Sequence, residues 1–143
     1  MRRFATSIRI RASLQSVWAL LTDAVGYPAW NSTVDKVDGR IAPGEKISVH
    51  ARAAPGRAFP VKVIEFTPPR SMSWAGGMPF RLFTGTRRFT LTPAASGEIE
   101  FTMHESYDGP LAPLITRSIP DLQPAFDTFA ADLKRRAEGA SPP

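Results

Sequence analysis

The sequence lacks cysteine altogether and has only two histidines, His50 and His104. Without cysteine there is no disulfide, no thiolate metal site and no cysteine nucleophile. The two histidines fall on separate predicted strands, out of phase with the apolar face, so both are expected to be exposed and no metal site is predicted. Gly76-Gly77 lacks the lysine and the helix start of a phosphate-binding loop. No cofactor is therefore predicted.

Long hydrophobic runs are also missing, since no stretch approaches the roughly 20 apolar residues of a membrane-spanning helix. The first residues, Met-Arg-Arg-Phe, lead into alternating polar and apolar positions rather than the apolar core of a signal peptide. These features predict a soluble cytoplasmic protein without stable membrane insertion. The net charge is +5, but the arginines are scattered and not interleaved with aromatics, so no nucleic-acid partner is predicted.

The composition is that of a folded domain. The chain has 143 residues, of which 43% are hydrophobic and 22% charged, and this length fits one domain. We expect that domain to span residues 1–139, followed by a frayed tail at 140–143.

Alternating apolar residues predict a first strand over 4–12. Ser13 then stands at an N-cap position, and apolar residues follow at helical spacing until Asp23 and Gly26 end the helix. Residues 27–30 form a short aromatic segment that is typical of a single helical turn.

Six further strands are predicted, separated by turn residues in the manner of an antiparallel meander. They cover residues 34–41, 46–53, 58–66, 71–75, 82–92 and 98–107. Apolar residues at steps of three and four then predict a helix over about 120–138, after a looser segment at 111–118. The prediction is an α+β fold: a seven-stranded curved antiparallel sheet around a long C-terminal helix, with two short helices between strands 1 and 2. The predicted edge strands at 4–12 and 34–41 could pair with a second copy of the chain, so a homodimer is one of the possible states.

Several short sequence segments occur in an order and spacing typical of a known family. They cover residues 13–23, 27–31, 69–74, 82–91, 105–109 and 129–138. Together they resemble the START/Bet v 1-like (SRPBCC) superfamily, which has the helix-grip fold, and within it the bacterial polyketide cyclase/dehydrase and lipid-transport group. The resemblance implies a deep cavity between sheet and C-terminal helix that binds lipids, sterols or aromatic polyketides. Similar sequences often carry histidine where this chain has Arg87, so an acid/base role for that histidine does not carry over.

The candidate polar site is Arg87 with Glu105 and the hydroxyl of Tyr107. Alternation places all three on the apolar face of the last two strands, and the turn at 93–97 puts Arg87 opposite or diagonal to Glu105. One interpretation is a guanidinium fork for a ligand carboxylate or enolate. A second is a structural ion pair. A third is a register displaced by one residue, which would expose both side chains.

Six apolar side chains complete the predicted ligand site, although ordinary aromatic core explains each of them equally well. They are Trp74, Trp30, Phe89, Phe101, Met103 and Phe126. The primary hypothesis is binding or carriage of a hydrophobic small molecule. The alternatives are a polyketide cyclase or dehydratase, in which Arg87 stabilises an enolate and Glu105 or Tyr107 moves protons, and a protein-interaction or stress-response module. No catalytic residue is assigned, so enzymatic activity is left open.

Overall fold

The computed structural model describes residues 2–139, and its main element is one antiparallel sheet of seven strands. The strands are β1 (Phe4–Ile10), β2 (Val34–Asp38), β3 (Lys46–Ala51), β4 (Phe59–Thr67), β5 (Ser71–Met78), β6 (Phe83–Pro93) and β7 (Ile99–Asp108). Their order in the sheet is β1-β7-β6-β5-β4-β3-β2, so β1 pairs with the last strand and the edges are β1 and β2. The seven strands and the two predicted edges are thereby confirmed. The expected tail at 140–143 lies outside the described residues.

One strand is longer than the sequence suggested. The sequence predicts that Gly76-Gly77 ends a strand at residue 75, but β5 continues through both glycines to Met78. A Cβ atom on Gly77 would lie 2.1 Å from the carbonyl oxygen of Phe83, and one on Gly76 would lie 2.5 Å from that of Pro60. These glycines are needed because neighbouring backbones approach closely, not because the chain turns.

The two edge strands, β1 and β2, end earlier than predicted, and one histidine is less exposed than predicted. β2 ends at Asp38, because Gly39 follows with φ of 109° and leaves the extended conformation. His50 is not exposed as expected: its side chain is 26% exposed and its Nε2 lies 3.0 Å from Oδ2 of Asp38, across β2 and β3. His104 is exposed, as predicted, and lies opposite Arg88.

Two helices separate β1 from β2, as predicted: α1 (Leu14–Thr22) and α2 (Tyr27–Trp30). Ser13 caps α1, because its hydroxyl accepts a hydrogen bond from the backbone N–H of Ser16 at 3.1 Å. The buried hydroxyl of Tyr27 donates to the carbonyl of Leu21 at 2.6 Å and fixes the two helices to each other. This contact places the Tyr27 ring in the core.

The C-terminal part contains α3 (Ala112–Ile115), a 3₁₀ turn (Thr116–Ser118) and α4 (Gln123–Gly139). The looser segment expected before the long helix is therefore present. The long helix begins at Gln123 rather than at about 120, because Ile119 before Pro120 is extended with ψ of 126° and a residue before proline disfavours helical geometry.

The core lies between the sheet and α4, and Phe129 is at its centre. Its ring stacks on that of Phe101 with centroids 6.0 Å apart and planes at 8°. It also meets Trp30 edge-on at 5.6 Å and Phe89 at 6.0 Å. Such aromatic pairs add to the stabilisation from buried apolar area. One residue of α4 therefore joins the first helices to the middle of the sheet.

A buried carboxylate also links α4 to the first half of the chain. Asp132 is 3% exposed, and it accepts hydrogen bonds from the backbone N–H of Ser32 at 2.8 Å and from its hydroxyl at 2.7 Å. Arg135 donates to the second oxygen. Burial acts to raise the pKa of Asp132, but the hydrogen bonds from Ser32 and the charge of Arg135 outweigh it, so the pKa lies below its usual value.

Candidate functional site

A row of side chains crosses five strands on the face of the sheet that carries α4. Val63, Trp74, Arg87, Glu105 and Phe4 lie directly opposite one another along β4, β5, β6, β7 and β1. Directly opposed residues in antiparallel strands face the same side. The sequence prediction that Arg87 meets Glu105 is confirmed, and the alternative with both exposed is wrong, since their side chains are only 25% and 16% exposed.

Arg87, Glu105 and Tyr107 form one hydrogen-bonded unit, called here the Arg87 cluster. The Nε–H of Arg87 donates to Oε1 of Glu105 at 2.9 Å, and the hydroxyl of Tyr107 donates to Oε2 at 2.5 Å. The guanidinium carbon also lies 4.7 Å from the ring centroid of Phe126 in α4, a cation–π contact. Among residues 2–139 the guanidinium uses only Nε for hydrogen bonding, so its two Nη groups remain as donors.

The electrostatics of the Arg87 cluster keep Tyr107 protonated. Burial raises the pKa of the Tyr107 hydroxyl, and the charge and hydrogen bond of Glu105 raise it further, while Arg87 acts in the opposite sense. A tyrosine in this state is a hydrogen-bond donor and not a base. The opposite charges of Arg87 and Glu105 compensate each other.

Trp74, the strand neighbour of Arg87, supplies a second unused donor. The side chain is 4% exposed and packs on Phe89 with ring centroids 4.7 Å apart. Within the described part of the chain its indole Nε1–H has no hydrogen-bond partner. A buried donor without a partner is costly, so an acceptor that reached it would be stabilised.

The other predicted ligand-binding residues lie in the core. Phe89, Phe101 and Met103 are 0% exposed and Phe126 is 1% exposed. The protein's own side chains therefore fill the middle of the space in which the family resemblance implied a deep cavity. A ligand that touched these four residues would have to displace neighbouring side chains, whereas the half-buried Arg87 already reaches solvent.

Two open pockets were not foreseen from the sequence. The first, of about 470 Å³, is lined by Ala29, Trp30, Asp132, Arg135, Arg136 and Gly139. The second, of about 440 Å³, is lined by Arg2, Pro113, Thr116 and Arg117. Each brings together residues about a hundred positions apart, which alternation and helical spacing do not reveal. Trp30 is 7% exposed, so it borders the first pocket while its ring packs in the core.

Comparison with known proteins gives a consistent family and fold. The model of the family described as polyketide cyclase / dehydrase and lipid transport matches residues 1–138. No curated protein matches the sequence. No helix of residues 2–139 has both the length and the apolar character required to cross a bilayer.

Similar solved structures have low sequence identity and nearly full coverage. A START superfamily protein from Mycobacterium smegmatis has a TM-score of 0.70 at 13% identity, over 97% of this chain and 99% of that one. A hypothetical protein from Helicobacter pylori has a TM-score of 0.76 at 11% identity, over 95% and 88%. A norcoclaurine synthase from Thalictrum, in complex with a transition-state analogue, has a TM-score of 0.72 at 11% identity, over 99% and 96%. At these identities the likeness is one of fold.

Proposed function

Because the chain belongs to the polyketide cyclase/dehydrase and lipid transport family, we propose that it binds a hydrophobic small molecule with one hydrogen-bond acceptor. The molecule lies beside the half-buried Arg87, with its acceptor at the Arg87 cluster and its apolar part outside the filled middle of the core. The observation that carries this proposal is the half-buried guanidinium of Arg87. It lies among aromatic side chains and is hydrogen-bonded, to Glu105, only through its Nε. Apolar surroundings with few convergent polar groups are typical of small-molecule sites.

The geometry fixes the guanidinium before a ligand arrives. Glu105 accepts a hydrogen bond from Nε of Arg87, and Phe126 packs on the flat face of the guanidinium. The side chain of Arg87 therefore loses little conformational entropy when a ligand binds. Phe83 stacks on Tyr107 with centroids 5.8 Å apart and is itself only partly buried. These rings give the apolar part of a ligand a surface next to the polar anchor.

The charges favour a neutral acceptor over a carboxylate. Glu105 already compensates the charge of Arg87, so a ligand carboxylate would add an uncompensated negative charge to a half-buried site. Removing such a charge from water is costly. A ketone, ester or amide carbonyl accepts the same hydrogen bonds with a much smaller loss of hydration. This favours an uncharged lipid or polyketide-like molecule over a free fatty acid.

Matched ligands that differ only in the head group test the proposal. We expect the methyl ester of a long-chain fatty acid to bind about tenfold tighter than the free acid at neutral pH, equivalent to about 1.4 kcal/mol. Native mass spectrometry and thermal shift measure both affinities. Failure of every ester, ketone and acid to bind would overturn the binding function, whereas equal binding of acid and ester would overturn only the preference.

Substitution of arginine locates the site. Arg87→Met should weaken ester binding by about tenfold or more, since hydrogen bonds to charged groups contribute about 1.5–3 kcal/mol. Arg88→Met is the matched control, because Arg88 is the next residue of β6, faces the other side and pairs with Glu65 at 3.1 Å. Equal affinities for the two variants would place the ligand elsewhere.

A cyclase or dehydratase activity is the second candidate. The observation in its favour is a half-buried arginine beside a hydrogen-bonded carboxylate and phenol, a suitable group to stabilise an enolate. Both carboxylate oxygens of Glu105 are already hydrogen-bonded, and Tyr107 keeps its proton, so the cluster offers no free base. Binding without catalysis is therefore the function that this geometry favours. Turnover of a polyketide-like substrate that disappears in Arg87→Met would reverse this order.

A further inference from the structure

The turn between β5 and β6 exposes large apolar side chains. Phe80 is 92% exposed and Met78, at the end of β5, is 42% exposed. The N–H of Leu82 closes the turn on the carbonyl of Pro79 at 3.3 Å. The tip of the β5–β6 hairpin therefore presents an aromatic ring to solvent.

The residues at this tip are poor choices for the backbone that they adopt. Phe80 has φ of 59° and Arg81 has φ of 56°, which is the left-handed region that side chains with a Cβ disfavour. Two consecutive positive φ angles at the centre of a four-residue turn are those of a type I′ turn, in which Gly, Asn and Asp dominate. Phe-Arg strains the turn, and the Phe80 side chain contributes no buried contact in return. An external partner would explain the choice of side chains.

A third exposed apolar residue lies on the segment that packs against this hairpin. The N–H of Leu111 donates to the carbonyl of Leu82 at 3.0 Å, which holds the start of α3 beside the turn. Leu114, in α3 itself, is 64% exposed. Met78, Phe80 and Leu114 are called here the apolar tip.

Positive charge accompanies the apolar tip. Arg81 lies in the turn, and Arg117 lies in the 3₁₀ turn that follows α3. Neither takes part in an ion pair among residues 2–139, and Arg117 shares the 440 Å³ pocket with Arg2. Asp108, opposite Thr84 at the end of β7, is the acidic residue at this end of that strand. The three arginines outnumber it, and the chain as a whole carries +5.

We propose that the apolar tip docks this protein on an anionic lipid surface. Phe80 and Leu114 enter the boundary between head groups and acyl chains, as phenylalanine and leucine do in other peripheral membrane-binding segments. Arg81 and Arg117 lie at the level of the lipid phosphates, so binding depends on both apolar area and charge. This is peripheral binding and requires no spanning segment. It goes beyond small-molecule binding and does not depend on which ligand the interior takes.

Co-sedimentation with vesicles tests the proposal. The full chain should sediment with vesicles of phosphatidylcholine and phosphatidylglycerol, less with phosphatidylcholine alone, and less as salt screens the phosphates. The decisive variant is F80N/R81G, which installs the turn residues that this backbone prefers. It should keep or raise the thermal unfolding temperature and yet lose vesicle binding by about tenfold, as expected for removal of one interfacial ring and one charge.

The matched control is V25N/R40Q. Val25 is 87% exposed, and Arg40, which pairs with Glu45, has a side chain that is 79% exposed, so this variant removes one exposed apolar side chain and one positive charge from other segments. It should bind vesicles like the unmodified chain. Equal sedimentation with and without lipid, or unchanged binding of F80N/R81G, would overturn the proposal. Self-association that F80N/R81G abolishes in the absence of lipid would assign the tip to a second copy and would also overturn it.

Discussion

Replacement of Phe129 by alanine should lower the free energy of unfolding by about 3–5 kcal/mol, the usual cost of deleting a buried aromatic ring. Phe129 is 2% exposed, and its ring contacts Phe101, Trp30 and Phe89 on three separate elements. A cavity at this position would be surrounded by rigid rings that cannot all collapse into it. Because a domain has only about 5–15 kcal/mol of stability, the variant is expected to be marginally folded.

Urea unfolding followed by tryptophan fluorescence measures this loss directly. Leu114→Ala is the control, since Leu114 is 64% exposed and such a surface change should stay within about 0.5 kcal/mol. A loss below about 1 kcal/mol for Phe129→Ala would show that α4 is not packed on the sheet as described. That result would also remove the frame that holds Phe126 over Arg87.

Replacement of Glu105 by leucine is the second change with a large expected effect. It leaves the half-buried guanidinium of Arg87 and the hydroxyl of Tyr107 without their acceptor. Breaking a fully buried pair costs about 3–5 kcal/mol. Since Arg87 is 25% exposed and keeps some hydration, about 2–3 kcal/mol is expected here.

The double variant R87M/E105L should be less destabilised than E105L alone, because apolar side chains of similar size can replace a buried ion pair at little cost. Urea unfolding of the wild type, both single variants and the double variant gives the coupling energy. If the two single losses simply add in the double variant, Arg87 and Glu105 do not act as a pair. The double variant also separates the two interpretations of the cluster, because it should fold and yet have lost the anchor for a ligand carbonyl.

The alternation of the sequence predicted the number and order of the strands, though not all of their ends, and it favoured the polar pair. Side chains alternate strictly along a strand, so Arg87 and Glu105, each within an apolar alternating run, were expected on the buried face unless the register was displaced by one residue. The short turn between β6 and β7 then limited their offset. Helical spacing likewise predicted the apolar face of α4, because Phe126, Phe129 and Leu133 recur at steps of three and four.

What the sequence did not reveal depends on contacts between distant segments. Gly76-Gly77 has the composition of a turn, and only the approach of Pro60 and Phe83 explains why β5 runs through it. His50 is half-buried through its contact with Asp38 on the neighbouring strand, which alternation along one strand cannot show. The filled centre of the core likewise depends on how the rings of α2, α4 and the sheet fit together.

A crystal structure of the complex with the ester that binds most tightly tests the central claim most directly. We expect the ester carbonyl within hydrogen-bonding distance of an Nη group of Arg87, with the alkyl chain against the partly buried ring of Phe83 beside Tyr107. A ligand bound instead in the surface pocket between Trp30 and Arg135, with the Arg87 cluster unchanged, would contradict it.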